Sequence, residues 1–373
     1  MYNIALIPGD GIGPEVIEEG VKVLESACHV HNIGINWHKY PFGSEYYLQK
    51  GVLLPDSALS ELREMDAIYF GAIGDPKIKP GILESEILLK MRFALDQYIN
   101  LRPVKLYPGI SGPLKYKDSS DIDFYVVREN TEDFYIGIGG HFKDSRYQEK
   151  HFLKRGLYQM DIQLCFQLPE QEETGYQLGI LTRKGSERII KYAFDFAQKK
   201  NLLKVSTVDK ANVLSGMYHL WRDIFKDTAA HYPDIKTDYY YIDAMTMFFV
   251  SQPEKFEVIV SPNMFGDIIT DLGATIQGGI GMAAGANINP EGVSMFEPIH
   301  GSAPDLKGKY VANPVGTILA GAMMMEHLGE QDVALSIDQA VETVLRYGRV
   351  RTVDIGGNSS TKAVGSEIVK QLI

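Results

Sequence analysis

The sequence predicts an α/β protein in which at least part of the sheet is parallel. Short apolar runs, rich in β-branched and aromatic residues, alternate along the chain with segments of helical period. Such alternation is typical of parallel strands joined by helices. At 373 residues the chain is too long for one small core, so two lobes are expected. The predicted strands are residues 4–7, 67–70, 124–127, 205–208, 239–242 and 258–260.

The first predicted strand ends in the tight turn Pro-Gly-Asp-Gly-Ile-Gly, residues 8–13, and Pro14 then opens a helix. This turn is close to the dinucleotide-binding fingerprint G-x-G-x-x-G. Here, however, the third glycine comes one place early and Pro14 occupies its position. The sequence therefore predicts a tight strand–helix turn without a Rossmann crevice, and leaves open whether a nucleotide lies near it.

Residues 136–180 differ in character from the rest of the chain. They mix polar and aromatic residues and include a Gln/Glu-rich stretch at 167–173. This composition predicts either an exposed excursion or an arm that contacts a second subunit.

Charge and composition exclude several classes of function. The net charge is −11 and no block of basic residues offsets it, which argues against nucleic-acid binding and against attraction to anionic membranes. Neither a run of 18 apolar residues nor a signal peptide is evident. Cys28 and Cys165 match no metal or redox spacing and are expected to be buried thiols in a reducing compartment. The expected location is the cytoplasm.

Three aspartates form a candidate metal site. Asp267 and Asp271 are four residues apart on a predicted helix, so their carboxylates share one face about 5–6 Å apart at Cβ. Asp243 follows the predicted strand 239–242 and offers a third oxygen ligand. Carboxylates in this arrangement suit Mg²⁺ or Mn²⁺. The alternative is a solvated helix face and a strand-end cap.

Three arginines form a second group of candidates. Arg92, Arg102 and Arg128 carry guanidinium groups that bind carboxylates in bidentate fashion, and beside a divalent cation they would suit a small dicarboxylic acid. Lys210 and Tyr135 are candidates for proton transfer. The alternatives are surface ion pairs for the arginines and an ordinary packed aromatic for Tyr135. From these residues alone the sequence predicts metal-assisted chemistry on a small carboxylate.

Long motifs in order carry a resemblance to a known family. They are residues 7–15, 96–103, 128–132 with Tyr135, 208–214, 242–245, 263–271, 296–305 and 313–314. With these motifs the chain resembles the β-decarboxylating dehydrogenases, which act on 3-isopropylmalate, isocitrate, homoisocitrate or D-malate and tartrate. The match runs nearly from end to end.

The resemblance implies an isopropylmalate-dehydrogenase-like fold of two α/β lobes with a large mixed sheet. Residues 1–97 and 278–373 would form the cofactor-binding lobe, and residues 98–277 the central lobe with the dimer interface. An intersubunit arm would lie at about 136–180. The resemblance also implies a homodimer with shared active sites, in which Lys210 and Asp243 reach into the partner's site. Whether dimers pair into tetramers stays open.

The resemblance further implies NAD as the cofactor. Asp305 would accept hydrogen bonds from the ribose hydroxyls of adenosine and would repel the 2′-phosphate of NADP. The implied cofactor-binding residues are Glu297, His300, Gly301, Ser302, Ala303, Asp305 and Asn313.

The implied reaction is oxidation of a (2R)-malate-type substrate at C2, followed by loss of the β-carboxylate as CO₂. Asp243, Asp267 and Asp271 would hold Mg²⁺ or Mn²⁺. Lys210 would accept the C2 hydroxyl proton and Tyr135 would protonate the enol carbon. The three arginines would hold the carboxylates, chiefly the one that leaves.

Different residues of the matching motifs favour different substrates. Leu88, Leu89 and Val213 fall where isopropylmalate enzymes contact the alkyl group, which favours 3-isopropylmalate and leucine biosynthesis. Ser85 stands where those enzymes usually carry a glutamate, so D-malate, tartrate or a related 3-substituted malate is the alternative. Isocitrate is least expected, because two leucines disfavour a third carboxylate. A non-catalytic regulatory subunit is equally little expected, because every catalytic candidate is present.

Overall fold

The structure, a computed structural model, describes residues 1–372. Fourteen strands are found in this part of the chain: β1 (Tyr2–Gly9), β2 (Ile35–Lys39), β3 (Ala67–Ala72), β4 (Ile99–Lys105), β5 (Asp123–Glu129), β6 (Gly139–Phe142), β7 (Arg146–Lys154), β8 (Gln159–Gln167), β9 (Thr174–Gln177), β10 (Lys204–Asp209), β11 (Lys236–Tyr241), β12 (Val258–Ser261), β13 (Ala284–Ile288) and β14 (Ser294–Pro298).

Eleven α-helices accompany them in the same residues: α1 (Gly13–Val30), α2 (Ser44–Lys50), α3 (Asp56–Arg63), α4 (Lys90–Ala94), α5 (Arg183–Lys199), α6 (Ser215–Ala229), α7 (Ile242–Ser251), α8 (Asn263–Ile276), α9 (Val315–His327), α10 (Gln331–Tyr347) and α11 (Thr361–Lys370). A π-helical segment, Glu84–Leu89, leads directly into α4. Within residues 1–372, no helix is long and apolar enough to cross a bilayer.

Ten strands form one mixed sheet in the order β11-β10-β12-β5-β4-β13-β14-β3-β1-β2. Its outer strands pair in parallel, whereas β5, β4, β13 and β14 pair antiparallel in the middle. The predicted α/β class with a large mixed sheet is confirmed, and the antiparallel centre differs from a doubly wound Rossmann sheet. Strands from residues 98–277 occupy one half of the order and the remaining strands the other half. The exact lobe boundaries stay a prediction.

Both faces of the sheet are covered, and the alternation of side chains along β5 shows how. Tyr125 and Val127 pack with α5 on one face, in a core that also includes α6, α9 and α10. Phe124 and Val126 pack on the opposite face with α7 and α8. Because successive side chains of a strand point to opposite faces, one strand supports two cores. On the second face, α2, α3 and α4 cover the other half of the sheet.

Residues 139–177 leave the main sheet and form two antiparallel ribbons. One ribbon pairs β6 with β9 and the other pairs β7 with β8. The β7–β8 hairpin alternates exposed and half-buried residues along most of its length. Cys28 is buried as expected, but the expectation for Cys165 was wrong, because it occupies an outward position of β8 and is exposed.

Candidate active site

Arg128 anchors the candidate site at the carboxyl end of β5. The sequence placed it after the strand, but the strand continues through Glu129. Its Nε donates to Oδ1 of Asn263 at 2.9 Å, and its Nη1 contacts Oδ1 of Asp267 on α8. A Cβ on residue 266 would lie 2.5 Å from the Arg128 Cγ, so Gly266 lets the helix approach. The arginine is therefore held from two directions by the start of α8.

Arg102 lies on the neighbouring strand β4 and points to the same helix. Its Nη1 donates to Oγ1 of Thr270 at 2.7 Å and lies 3.6 Å from Oδ1 of Asp271. Its Nη2 lies 3.8 Å from Oδ1 of Asp267. Burial, and then the charge of Arg128, lower the pKa of Arg102 to about 10. The group still carries its positive charge at neutral pH.

Arg92 completes the arginine group from α4, and its position is unusual. The residue is only 5% exposed, yet within residues 1–372 its side chain makes no ion pair or hydrogen bond, and its buried Nε has no partner. Burial, and then the charges of Arg128 and Arg102, lower its pKa to about 10, against the opposing effect of Glu297. A buried charge without a partner is costly, so this geometry favours an anionic ligand beside it.

Tyr135 contacts the same aspartate as Arg128. Its hydroxyl donates to Oδ2 of Asp267 at 2.7 Å, and the Arg128 guanidinium lies 5.2 Å from its ring centre. Burial, the hydrogen bond to Asp267 and the charge of that carboxylate raise the pKa of Tyr135. The phenol therefore stays protonated at neutral pH and can act as an acid.

A buried amide network supports these groups, and the sequence prediction missed most of it. Asn287 accepts from Asn100 at 3.0 Å and from Asn130 at 2.9 Å, and donates to Oε1 of Glu297 at 2.6 Å. Asn100 also accepts from Nε of Arg102 at 2.9 Å. Only the position of Asn100 could have been predicted, because it lies two residues before Arg102 and therefore on the same face of the strand.

Asp267 and Asp271 lie on α8, as the four-residue spacing predicts. Burial opposes ionisation of Asp267, but the Arg128 charge and the Tyr135 hydrogen bond outweigh it and lower the pKa of this carboxyl. The Asp271 side chain is 67% exposed. Burial raises the pKa of the Asp271 carboxyl, against the opposing charge of Arg102. Two carboxylates on one helix face fit a hard divalent cation.

The third predicted metal ligand lies elsewhere in this chain. Asp243 is in the first turn of α7 rather than at a strand end, because β11 already ends at Tyr241. Its carboxylate contacts Nζ of Lys210, which follows β10, and this hydrogen bond lowers the pKa of Asp243. Among the described residues no group of three acidic, His or Cys side chains is placed to hold a metal. A single chain therefore brings two of the three aspartates together with the arginines.

The predicted cofactor loop follows β14 and packs on the turn after β1. The backbone N–H of Ile12 donates to the Ser302 carbonyl at 2.8 Å, and a Cβ at Gly11 would overlap that carbonyl. Glu15 accepts from the backbone of Gly308 at 2.5 Å and of Tyr310 at 2.9 Å. The glycine-rich turn thus braces the loop.

The other predicted cofactor residues differ in what they contact. His300 is buried, its Nδ1 lies 3.0 Å from the Gly301 carbonyl, and its Nε2 has no partner among the described residues. Asn313 donates to Oδ2 of Asp354 at 3.0 Å. Asp305 is exposed in the short helical turn Pro304–Leu306.

A cavity of about 390 Å³ opens beside this loop, between Gly301, Ser302 and Ala303 on one side and residues 73–84 on the other. The orphaned His300 nitrogen and the open cavity fit a nucleotide cofactor.

The predicted alkyl-contact residues occupy two places. Leu88 and Leu89 are half-buried on the π-helical segment that leads into α4, about one helical turn before Arg92. Val213 is 68% exposed, in the turn that Lys210 opens, where its N–H donates to the Lys210 carbonyl at 3.0 Å. Ser85 is exposed on the same segment as the leucines.

The mixed sheet and the site where arginines meet aspartates belong to a dehydrogenase. The chain belongs to the isocitrate/isopropylmalate dehydrogenase family, whose pattern matches residues 3–371. The 3-isopropylmalate dehydrogenase of Thermobifida fusca is 44% identical over 372 residues, which are 99% of this chain and 97% of that protein. The enzyme of the same name from Streptomyces coelicolor is 44% identical over 92% of each chain.

A solved structure agrees over the whole length. The isocitrate dehydrogenase of Methylococcus capsulatus superposes with a TM-score of 0.84 at 37% identity, and covers 100% of this chain and 99% of its own. The family and the isopropylmalate-dehydrogenase-like fold expected from the motifs are confirmed.

Proposed function

We propose that this protein catalyses the NAD-dependent oxidative decarboxylation of 3-isopropylmalate with the aid of Mg²⁺ or Mn²⁺, as a step of leucine biosynthesis. The names of the full-length relatives support this substrate. The observation that carries the proposal is Arg92, a buried guanidinium with no partner in the described chain, beside Arg102 and Arg128. A site with one unpaired buried cation favours a substrate that brings the missing anion.

The apolar residues next to Arg92 favour an alkyl substituent on that substrate. Leu88 and Leu89 immediately precede α4, so the group that holds the carboxylate and the group that contacts the alkyl chain belong to one helical segment. A third carboxylate facing these leucines would lack a partner, which disfavours isocitrate. The alternative, D-malate or tartrate, depends on Ser85, which replaces the expected glutamate.

A divalent cation and NAD would complete the chemistry. Asp267 and Asp271 would hold the divalent cation with Asp243 of a second subunit, and the loop from Glu297 to Asp305, with Asn313, would hold NAD. A bound divalent cation would supply Lewis-acid stabilisation of the negative charge that develops on the substrate, and NAD would supply the hydride acceptor.

The chain's own side chains would carry out the proton transfers. Lys210 accepts the C2 hydroxyl proton as the substrate is oxidised. Arg92, Arg102 and Arg128 orient the β-carboxylate that leaves as CO₂. Tyr135, kept protonated by its surroundings, then donates its proton to the enol carbon.

We also propose that the active unit is a homodimer with shared sites. Lys210 and Asp243 contact each other, and within the described residues Asp243 forms no three-ligand group with Asp267 and Asp271. Large apolar side chains near them face outward: Val213, Met247, Val250 and Ile268 are 68%, 70%, 50% and 52% exposed. Such a patch suits contact with a second copy. The cytoplasmic location and the intersubunit role of residues 136–180 stay predictions.

Initial rates of NAD reduction, with Mg²⁺ or Mn²⁺ present, would test the substrate assignment. We expect kcat/KM for 3-isopropylmalate to exceed that for D-malate, tartrate and isocitrate by about tenfold or more, the usual effect of a filled apolar subsite. Leu89→Ala should reduce that preference, whereas the exposed-site control Leu335→Ala should not. A wild-type preference for D-malate or tartrate would contradict the proposal.

A further inference from the structure

A groove on the other face of the sheet is built from the same strands as the active site. Along β4, Arg102 points to α8 while Leu101 and Pro103 line the groove. Along β13, Asn287 joins the polar network while Ala286 and Ile288 line the groove. Because successive side chains of a strand point to opposite faces, the groove and the active site lie on opposite faces of the same sheet.

The groove is bounded by α5 on one side and α9 on the other. It consists of two adjoining cavities of about 490 and 270 Å³ that share Pro103, Tyr125, Met323 and two lysines. Lys200 spans it by an ion pair of 2.5 Å with Glu326. The smaller cavity has an apolar floor, formed by Leu101, Phe196, Ala286, Ile288, Phe296 and Met323.

Both carboxylates at the smaller cavity are ion-paired, whereas one of its lysines is not. Its two carboxylates are both engaged, Asp195 with Lys191 at 2.5 Å and Glu326 with Lys200. Lys199 lies at the same rim, and within the part of the chain that the structure describes it has no ion pair. His327 is its neighbour, with its ring 5.4 Å from that of Phe296 and no hydrogen bond among the described residues. Burial, and then the charge of Lys199, lower the pKa of His327. One cation and one imidazole are thus free to bind an anion.

We propose that this smaller cavity is a second ligand site, for a small hydrophobic monocarboxylate. The carboxylate would accept hydrogen bonds from Lys199 and His327, while a branched or aromatic tail of about five carbons would cover the apolar floor. A pocket that is mostly apolar, with a few convergent polar groups, is typical of small-molecule sites. A single free cation at its rim disfavours dicarboxylates and nucleotides, which carry more than one negative charge.

Calorimetric titration with 4-methylpentanoate would test the proposal without reference to catalysis. We expect saturable binding to the wild-type protein that is about tenfold weaker in Lys199→Met, since one charge-assisted hydrogen bond is lost. The matched control Lys184→Met, at an exposed position near the start of the same helix, should bind like wild type. The uncharged 4-methylpentanamide should bind as weakly to wild type as the carboxylate binds to Lys199→Met.

The arginine site could also bind this probe, and Arg92→Met separates the two locations. We expect Arg92→Met to retain the binding. Loss of binding in Arg92→Met together with normal binding in Lys199→Met would place the probe in the active site and overturn the proposal. Equal binding of the amide, or the absence of binding to wild type, would overturn it as well. None of these outcomes depends on which substrate the enzyme turns over.

Discussion

The hydroxyl of Tyr135 donates a 2.7 Å hydrogen bond to Oδ2 of Asp267, whose other carboxylate oxygen contacts Arg128. One carboxylate thus connects a proposed proton donor, a proposed substrate-binding arginine and the proposed cation. Arg128 keeps Asp267 ionised, and the ionised Asp267 in turn keeps Tyr135 protonated. The three roles are electrostatically linked through this residue.

Tyr135→Phe should remove the acid while leaving the site's shape intact. We expect kcat to fall by about 10²- to 10⁴-fold, the usual contribution of a positioned acid or base, with little change in the KM for NAD. Steady-state kinetics would measure both. Because its surroundings raise the pKa of Tyr135, its proton stays bound at higher pH than that of a free phenol. The wild-type pH profile should therefore show no loss of activity from this group below about pH 10. A Tyr135→Phe enzyme with wild-type kcat would remove the residue from the mechanism.

Arg92→Met should stabilise the fold while lowering the activity. Replacing an unpaired buried charge by an apolar side chain of similar length is expected to raise the free energy of unfolding by about 1 kcal/mol or more. The same change should lower kcat/KM by about 10²-fold or more, because a buried ion pair with the substrate is lost. Chemical denaturation and initial rates would measure the two effects. Arg349→Met, at an exposed position without ion pairs among the described residues, is the control and should change neither quantity. Normal activity in Arg92→Met would contradict the proposed substrate contact.

Mixed dimers should reveal whether Lys210 works in the partner's site. If it does, a hybrid of a Lys210→Ala subunit and a Tyr135→Phe subunit contains one site with both changes and one site with neither. Random mixing in equal amounts should then restore about a quarter of wild-type activity in a symmetric dimer. Tyr135→Phe mixed with Arg92→Met is the matched control, because both changes affect the home site and no hybrid site is intact. Lack of recovery in the first mixture would place Lys210 in its own subunit's site.

The proposed preference for NAD should depend on Asp305. Asp305→Lys exchanges a carboxylate that would repel the 2′-phosphate of NADP for a cation that attracts it. We expect the ratio of kcat/KM for NAD to that for NADP to fall by about tenfold or more, from the loss of one charge-assisted contact and the gain of another. Asp332→Lys, at the exposed start of α10, is the control. A wild-type enzyme that already prefers NADP would contradict the role of Asp305.

The parts of this site that follow from local spacing could be predicted from the sequence. Asp267 and Asp271 share α8 because four residues are about one helical turn, and Arg102 is extended because a proline follows it. The motifs that carry the resemblance supplied the family and the fold. In contrast, the first turn of α7 around Asp243 was misplaced by sequence patterns, since strand and helix meet there without a turn residue.

Properties that depend on tertiary packing could not be predicted. Nothing in the residues around Arg92 indicates that its guanidinium is buried without a partner, because that depends on what every neighbouring element leaves unfilled. The network of Asn100, Asn130 and Asn287 joins three distant segments, and the groove on the other face of the sheet lies between α5 and α9. Both depend on strand order, which spacing along the chain does not specify.

The most direct test of the proposed function is to measure NADH and CO₂ together during turnover of 3-isopropylmalate. We predict equal amounts of NADH and CO₂, dependence of both on Mg²⁺ or Mn²⁺, and loss of both products in Asp267→Asn at limiting cation. NADH formation without CO₂, or turnover unchanged by Asp267→Asn at limiting cation, would contradict the account.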